Sequence, residues 1–146
     1  MNQKNSMPSG NGKTQNGAFG LQIEAENVSF SYQGSNETAL QDISVQIKPG
    51  ECVLLCGKSG CGKTTFSRLL NGLSPAFYPG ELTGSCSVGE LLAGRAAIED
   101  YVPFVGSVFQ NPKTQYFNVD TTAELAFPCE NSGMESAKIR ERLQEV

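Results

Sequence analysis

The residues best suited to chemistry form a glycine-rich loop that matches the phosphate-binding pattern G-x-x-x-x-G-K-[ST] at every fixed position. The loop consists of Gly57, Lys58, Ser59, Gly60, Cys61, Gly62, Lys63 and Thr64. Its glycines let the backbone curl so that successive N–H groups point inward and hold an anion. We expect Lys63 to reach the β- and γ-phosphates of a nucleotide, Thr64 to coordinate Mg²⁺, and the hydroxyl or N–H of Thr65 to meet the α-phosphate. The pattern favours a nucleotide phosphate site over a structural turn.

Such a loop needs a strand before it and a helix after it, and the sequence predicts both. Residues 52–56 are apolar throughout, which is typical of a strand covered on both faces in a parallel sheet. After the loop, apolar side chains recur at helical spacing: Phe66, Leu69, Leu70 and Leu73. Gly72 marks the expected end of this helix, whose N-terminus would add the positive end of its dipole to the site.

The chain before the loop consists of a polar, glycine-rich stretch followed by segments with strand patterns. Residues 1–20 are predicted to be a disordered tail, and the ordered domain to begin at Leu21. Apolar residues alternate from Leu21 and then change phase at Glu26–Asn27, which predicts one bulged strand or two abutting strands. A turn follows at residues 33–37, and residues 43–47 alternate as a half-buried strand.

The segments after the first helix are predicted to hold two strands and two helices. Strands are expected near residues 85–88 and across residues 102–109. A helix is expected to begin at Thr121 and to stop near Pro128, because proline interrupts helical hydrogen bonding. Residues 134–146 read as a last helix, with an apolar face made of Ile139, Leu143 and Val146.

Composition excludes several classes of function. Eleven basic against fifteen acidic residues give a net charge of −4, which argues against a nucleic acid partner held by a basic surface. No stretch approaches the about 18 apolar residues of a membrane-spanning helix, and no secretory signal is recognisable. Histidine is absent, so the chain has no histidine-based triad. An odd number of cysteines, five, without a secretory signal favours free thiols in a reducing compartment over a disulfide framework. No Cys-x-x-Cys pair occurs, which argues against a zinc site.

Two classes of nucleotide-binding protein compete at this point: transport-type ATPases and small phosphoryl-transfer kinases. Strand patterns precede the loop, whereas in many small kinases the loop follows the first strand. From Leu21 to the end, the chain resembles the ATP-binding cassette (ABC) ATPases. The resemblance rests on residues 27–32 as the first strand, on residues 39–44 and 47–51 before the loop, and on residues 107–112 as the Q-loop.

The resemblance implies an α/β fold of the P-loop NTPase type, with an N-terminal antiparallel β subdomain and the start of a RecA-like core. It implies that Tyr32, an aromatic residue at the end of the first strand, stacks on adenine; the alternative is an aromatic residue that only packs within the sheet. It also implies that Gln110 contacts Mg²⁺ or the attacking water and moves with a membrane partner. ATP and Mg²⁺ are the implied ligands.

A longer segment narrows the resemblance to one kind of importer. Residues 111–117, 121–127 and 130–131 are similar to the ATPases of energy-coupling factor (ECF) transporters, which import vitamins and metal ions. This resemblance implies a second ATPase subunit and a transmembrane subunit as partners, and a peripheral location on the cytoplasmic face of the membrane. A chain that occurred alone would be expected in the cytoplasm.

Three motifs of a complete ABC ATPase are missing from the sequence. Asp42, Asp100 and Asp120 do not follow four apolar residues, so none belongs to a Walker B strand. No Ser-Gly-Gly-Gln signature and no switch histidine occur either. We therefore expect the N-terminal portion of a cassette, residues 21–146, cut before Walker B. It should bind ATP without useful hydrolysis; a non-catalytic nucleotide-binding module and a small kinase are the alternatives.

Overall fold

The computed structural model describes residues 20–111, 113 and 115–145. These residues divide into two compact units, one ending at Ser107 and one beginning at Val108. Apart from Gly20, the predicted tail lies outside the described residues. The two units are taken in turn below.

The first unit is built on a four-stranded antiparallel sheet. Its strands are β1 (Ile23–Tyr32), β2 (Thr38–Ile47), β3 (Gly80–Val88) and β4 (Leu91–Leu92). Their order across the sheet is β2-β1-β3-β4, and each neighbouring pair is antiparallel. The antiparallel β subdomain expected before and around the loop is therefore confirmed, and β3 is longer than the short strand predicted at residues 85–88.

A bulge in β1 explains the change of phase in its sequence. The pairing with β2 passes from Ala25 opposite Val45 to Val28 opposite Ile43, with a register shift between them. The extra residue keeps Ala25, Val28 and Phe30 on the same face, where they are 2%, 0% and 0% exposed. Of the two readings of this segment, the single bulged strand is confirmed.

Three helical segments complete the first unit: α1 (Lys63–Leu70), α2 (Leu73–Ala76) and α3 (Ile98–Tyr101). α1 packs its apolar face on the sheet. The shared core consists of Ala25, Val28, Phe30, Leu40, Phe66, Leu69 and Cys86. The N–H of Gly72 donates to the carbonyl of Leu69, and Gly72 adopts a positive φ of 76°, so the predicted end of α1 is confirmed.

Two predicted strands are not formed. Residues 52–56 have no regular secondary structure, and Leu54 is 85% exposed. Residues 102–104 form a turn after α3, residues 105–109 have no regular structure, and Val108 is 91% exposed. A strand needs a neighbouring strand to bond its N–H and C=O groups. Within the described residues, the sheet offers neither segment such a neighbour, so both predictions were wrong.

The second unit contains two helices, α4 (Thr121–Asn131) and α5 (Ser136–Gln144). α4 begins where predicted, because a carboxylate oxygen of Asp120 accepts the Ala123 N–H at 2.8 Å and caps the helix. The predicted stop at Pro128 was wrong: the Pro128 carbonyl still accepts the Ser132 N–H at 3.2 Å, and the helix continues to Asn131. α5 buries Ile139, while Val146 lies outside the described residues.

Candidate nucleotide-binding site

The glycine-rich loop leads directly into the N-terminus of α1. Gly62 is the N-cap residue, and no side chain caps the helix. Gly62 has a positive φ of 91°, and a Cβ atom there would collide with the Ala39 carbonyl oxygen of β2. Only glycine therefore allows this close approach of the loop to the sheet. The first N–H groups of α1 have no helical carbonyl before them, so they remain available to an anion.

The ammonium group of Lys63 is folded into the loop. Its Nζ donates to the carbonyl oxygens of Gly57 and Lys58, both at 2.7 Å, and lies 3.5 Å from Cys61 Sγ. The loop thus brings a cation and the open end of a helix to the same place. Both features attract a negatively charged group.

Thr65 directs its hydroxyl away from the loop and toward β1. The residue is 6% exposed, and its Oγ1 lies 3.0 Å from the hydroxyl oxygen of Tyr32, the last residue of β1. Of the two groups of Thr65 expected at a phosphate, the hydroxyl is therefore engaged elsewhere. The Thr65 N–H, in the first turn of α1, is the group that can face an anion.

The hydroxyl of Tyr32 has a second partner that the sequence reasoning missed. Arg68 Nη1 donates to it at 3.0 Å. Arg68 lies three residues after Thr65, so both side chains leave α1 on the same face. That spacing is the sequence signal that could have identified Arg68, once β1 was known to cross this face of the helix.

The remaining loop residues Lys58, Ser59, Gly60, Cys61 and Thr64 are exposed. Among the described residues, no group of three or more His, Cys, Asp or Glu side chains could hold a metal ion. Phosphate oxygens and water, which commonly bind Mg²⁺ at nucleotide sites, would be further ligands of a magnesium ion held by the Thr64 hydroxyl. The exposed hydroxyl fits that requirement.

Gln110 belongs to the second unit, and the strand expected to end there is not formed. Its side chain is exposed, and its role at a nucleotide stays a prediction. Further along this unit, one oxygen of Glu124 accepts hydrogen bonds from the N–H groups of Phe117 and Asn118, and from the Asn118 side chain. These bonds, led by that of the Asn118 N–H, lower the pKa of Glu124 and fix the segment that precedes α4.

The loop and the uncapped helix after it are those of a P-loop NTPase domain, although the strand expected before the loop is not formed. A family model described as ABC transporter matches residues 40–146. The chain therefore belongs to the ABC transporter family, and the small-kinase alternative has no support from this match.

Three relatives with the provisional name of ABC transporter ATP-binding protein illustrate the similarity. One from Treponema denticola is 48% identical over 124 residues, covering 85% of this chain and 25% of the relative. One from Pyrococcus abyssi is 40% identical over 122 residues, covering 84% and 44%. One from Methanosarcina acetivorans is 40% identical over 129 residues, covering 86% and 20%.

The chain spans about a quarter of the length of the two Treponema denticola relatives. Across the residues that the structure describes, no helix is both long enough and apolar enough to cross a membrane.

Proposed function

We propose that this chain binds ATP together with Mg²⁺ at the glycine-rich loop, as the nucleotide-binding part of an ABC transporter. One observation carries the proposal: the N-terminus of α1 has no side-chain cap, and the Lys63 ammonium lies in the loop beside it, 2.7 Å from the Gly57 carbonyl oxygen. The first N–H groups of an α-helix have no partner within the helix. Here the free N–H groups and the cation are suited to a phosphate chain.

Each residue of the loop has a separate role in this proposal. Lys63 exchanges its two carbonyl partners for phosphate oxygens, which bind an ammonium more strongly because they are charged. The N–H groups at the start of α1 hold the phosphates, including the N–H of Thr65. Thr64 holds Mg²⁺, which when bound offsets the negative charge of the phosphates. The Tyr32 ring, tied to α1 by its hydroxyl, takes the base.

The wider role proposed is ATP-driven import of the ECF type. The similarity of residues 111–117, 121–127 and 130–131 to ECF ATPases supports it. In this proposal, the whole protein pairs with a second ATPase subunit and with a transmembrane subunit at the cytoplasmic face of the membrane. ATP binding closes the ATPase pair, and hydrolysis reopens it. Gln110 senses the nucleotide in that assembly.

For the chain itself we propose binding without useful hydrolysis. Phosphoryl transfer depends on positioned groups that orient the attacking water and neutralise charge. The sequence contains no Walker B carboxylate, no Ser-Gly-Gly-Gln signature and no histidine to provide them. The non-catalytic nucleotide-binding module is thus the form of activity proposed for these 146 residues.

Titration calorimetry with ATP and Mg²⁺ tests the binding site. We expect Lys63→Ala to weaken ATP binding by about a hundredfold, because a charged partner of the phosphates is lost. Lys48→Ala removes the same charge from an exposed site outside the loop and should leave binding unchanged. Equal affinities of the Lys63→Ala variant and the parent chain would contradict the proposed site.

A phosphate-release assay tests the proposed lack of turnover on the same samples. We expect no release above the background without protein. Turnover at ordinary ATPase rates, together with its loss in Lys63→Ala, would show that the chain hydrolyses ATP and would overturn the binding-only proposal.

A further inference from the structure

The hydroxyl of Tyr32 lies between two side chains of α1. Arg68 Nη1 donates to this hydroxyl at 3.0 Å. Thr65 Oγ1 is its second hydrogen-bond partner, also at 3.0 Å. Because a guanidinium can only donate, the bond from Arg68 uses a lone pair of the Tyr32 oxygen. The tyrosine proton stays available for Thr65. Both bonds can therefore exist together and fix the long axis of the Tyr32 ring.

The guanidinium of Arg68 is held by a second aromatic residue. Its central carbon lies 3.8 Å from the centroid of the Tyr78 ring, in the segment between α2 and β3. This distance is well within the range of a cation–π contact. A planar guanidinium can stack on one ring and donate in its plane to another group, so Arg68 connects Tyr78 to Tyr32.

Backbone pairing joins the two tyrosine segments independently of Arg68. Tyr32 lies opposite Gly80 in the pairing of β1 with β3. The N–H of Gln33 donates to the carbonyl of Pro79 at 2.9 Å. Tyr78 is therefore kept close to the end of β1, and the guanidinium has a fixed platform from which to hold the Tyr32 hydroxyl. The ring of Tyr32 also meets that of Phe30 edge to face, with centroids 5.0 Å apart.

We propose that Arg68, supported by Tyr78, is a positioning residue for the base of the nucleotide. Arg68 keeps the Tyr32 ring beside the first turn of α1, where Thr65 provides an N–H for the phosphates. The distance between the surface that takes the base and the groups that take the phosphates is then set before binding. Ordering these groups in advance reduces the entropy lost on binding. This inference rests on the proposed function, in which Tyr32 takes the base.

A purely structural role of Arg68 makes a different prediction. If Arg68 only packed α1 on the sheet, its loss would affect every ligand of the loop equally. If it positions Tyr32, its loss affects ligands that carry a base and spares those that do not. ATP and inorganic tripolyphosphate are a suitable pair of probes, because they share the phosphate chain and differ in the nucleoside.

Titration calorimetry with both probes and Mg²⁺ separates the two roles. We expect Arg68→Ala to weaken ATP binding by about tenfold and to leave tripolyphosphate binding within about twofold of the parent chain. Arg95→Ala removes an exposed arginine of the same unit and should change neither affinity. Equal ATP affinity of Arg68→Ala and the parent chain, or an equal loss for both probes, would overturn the inference.

Variants of the two tyrosines keep the test valid if Arg68→Ala does not fold. Tyr32→Phe retains the ring and removes only the oxygen that Arg68 holds, so it should show the same selective loss of ATP affinity. Tyr78→Leu removes the aromatic platform and should also lose ATP affinity, while Tyr78→Phe should retain more of it. An ATP affinity of Tyr32→Phe equal to that of the parent chain would count against the inference.

The double variant Arg68→Ala with Tyr32→Phe tests whether the two residues act together. Its loss of ATP affinity should be no greater than that of Tyr32→Phe alone, because removing the hydroxyl already breaks the bond from Arg68 together with the contact to Thr65. Losses that multiply would show independent roles and overturn the inference. A parent chain that binds neither probe would instead overturn the proposed function, and the inference with it. If the parent chain binds both probes and Lys63→Ala weakens both, the proposed function is supported, and the Arg68 variants then test the inference alone.

Discussion

The glycine-rich loop connects two apolar segments, of which one is a helix with a buried face and the other is exposed and irregular. After the loop, α1 buries Leu69 and Phe66 against the sheet, with 1% and 7% of each residue exposed. Before the loop, residues 52–56 have no regular structure, and Leu54 is 85% exposed. The helix after the loop is therefore packed on the sheet, whereas the segment before the loop remains exposed and irregular.

The difference follows from where each element finds its hydrogen-bond partners. A helix bonds its own backbone and needs only an apolar surface for one face. The antiparallel strands β1 and β2, which are neighbours in sequence, supply that surface. A strand in a parallel sheet needs a neighbouring strand, which a long crossover connection brings from another part of the sequence. The helix after the loop therefore forms although residues 52–56 before the loop form no strand.

Core substitutions should give the largest difference between these two regions. Phe30→Ala removes a ring that is 0% exposed beneath α1, so we expect the free energy of unfolding to fall by about 4 kcal/mol. Leu54→Ala removes a side chain from the exposed segment and should change it by less than about 0.5 kcal/mol. Urea denaturation followed by circular dichroism measures both. Comparable losses for the two variants would mean that residues 52–56 are packed after all.

The next largest effect concerns the contact between the loop and β2. Gly62→Ala would force a Cβ atom against the Ala39 carbonyl in a left-handed backbone conformation, and we expect a loss of about 3 kcal/mol. Gly60→Ala has a similar φ of 82° but open space around it, so strain alone should cost about 1 kcal/mol. Denaturation of the two variants side by side isolates the steric part. Equal losses would rule out the close approach of Gly62 to β2.

The reactivity of cysteine thiols compares the same two regions without any substitution. Cys52 and Cys56 are exposed in the segment before the loop, whereas Cys86 is 2% exposed in the core. Burial raises the pKa of Cys86 from 9.0 to about 11, so at pH 8 its thiol should resist alkylation while Cys52 and Cys56 react. Bound ATP should slow alkylation of Cys61 in the loop. Mass spectrometry of peptides after timed labelling measures each site.

The same pKa shift predicts how the free energy of unfolding changes at alkaline pH. The folded state favours the neutral Cys86 thiol, so this stabilisation is complete below pH 9.0 and falls as the pH rises toward about 11. Cys86→Ala should reduce the dependence of unfolding free energy on pH in that interval. Rapid alkylation of Cys86 at pH 8 in the folded chain would contradict the burial on which both expectations depend.

Local features were predictable from the sequence because short-range geometry determines them. The positions of the loop glycines and Lys63, the phase change at Glu26–Asn27 and the start of α4 at Thr121 were all readable in this way. The stop at Pro128 was wrong, because a proline carbonyl still accepts a helical hydrogen bond even though proline donates none. Whether a helix continues past a proline depends on the N–H groups of the residues that follow it, and the expected stop was based on the proline alone.

The sequence by itself identified the glycine-rich loop, the lysine within it and the helix after it. Only the tertiary structure decided which apolar runs became elements, because strands at residues 52–56 and 102–109 require partners that local pattern cannot supply. It also decided the orientation of Thr65, whose hydroxyl faces Tyr32, and the position of Arg68 between two tyrosines. Tyr32 lies 33 residues before Thr65 and 36 before Arg68, and Tyr78 lies outside α1, so only folding brings these side chains together.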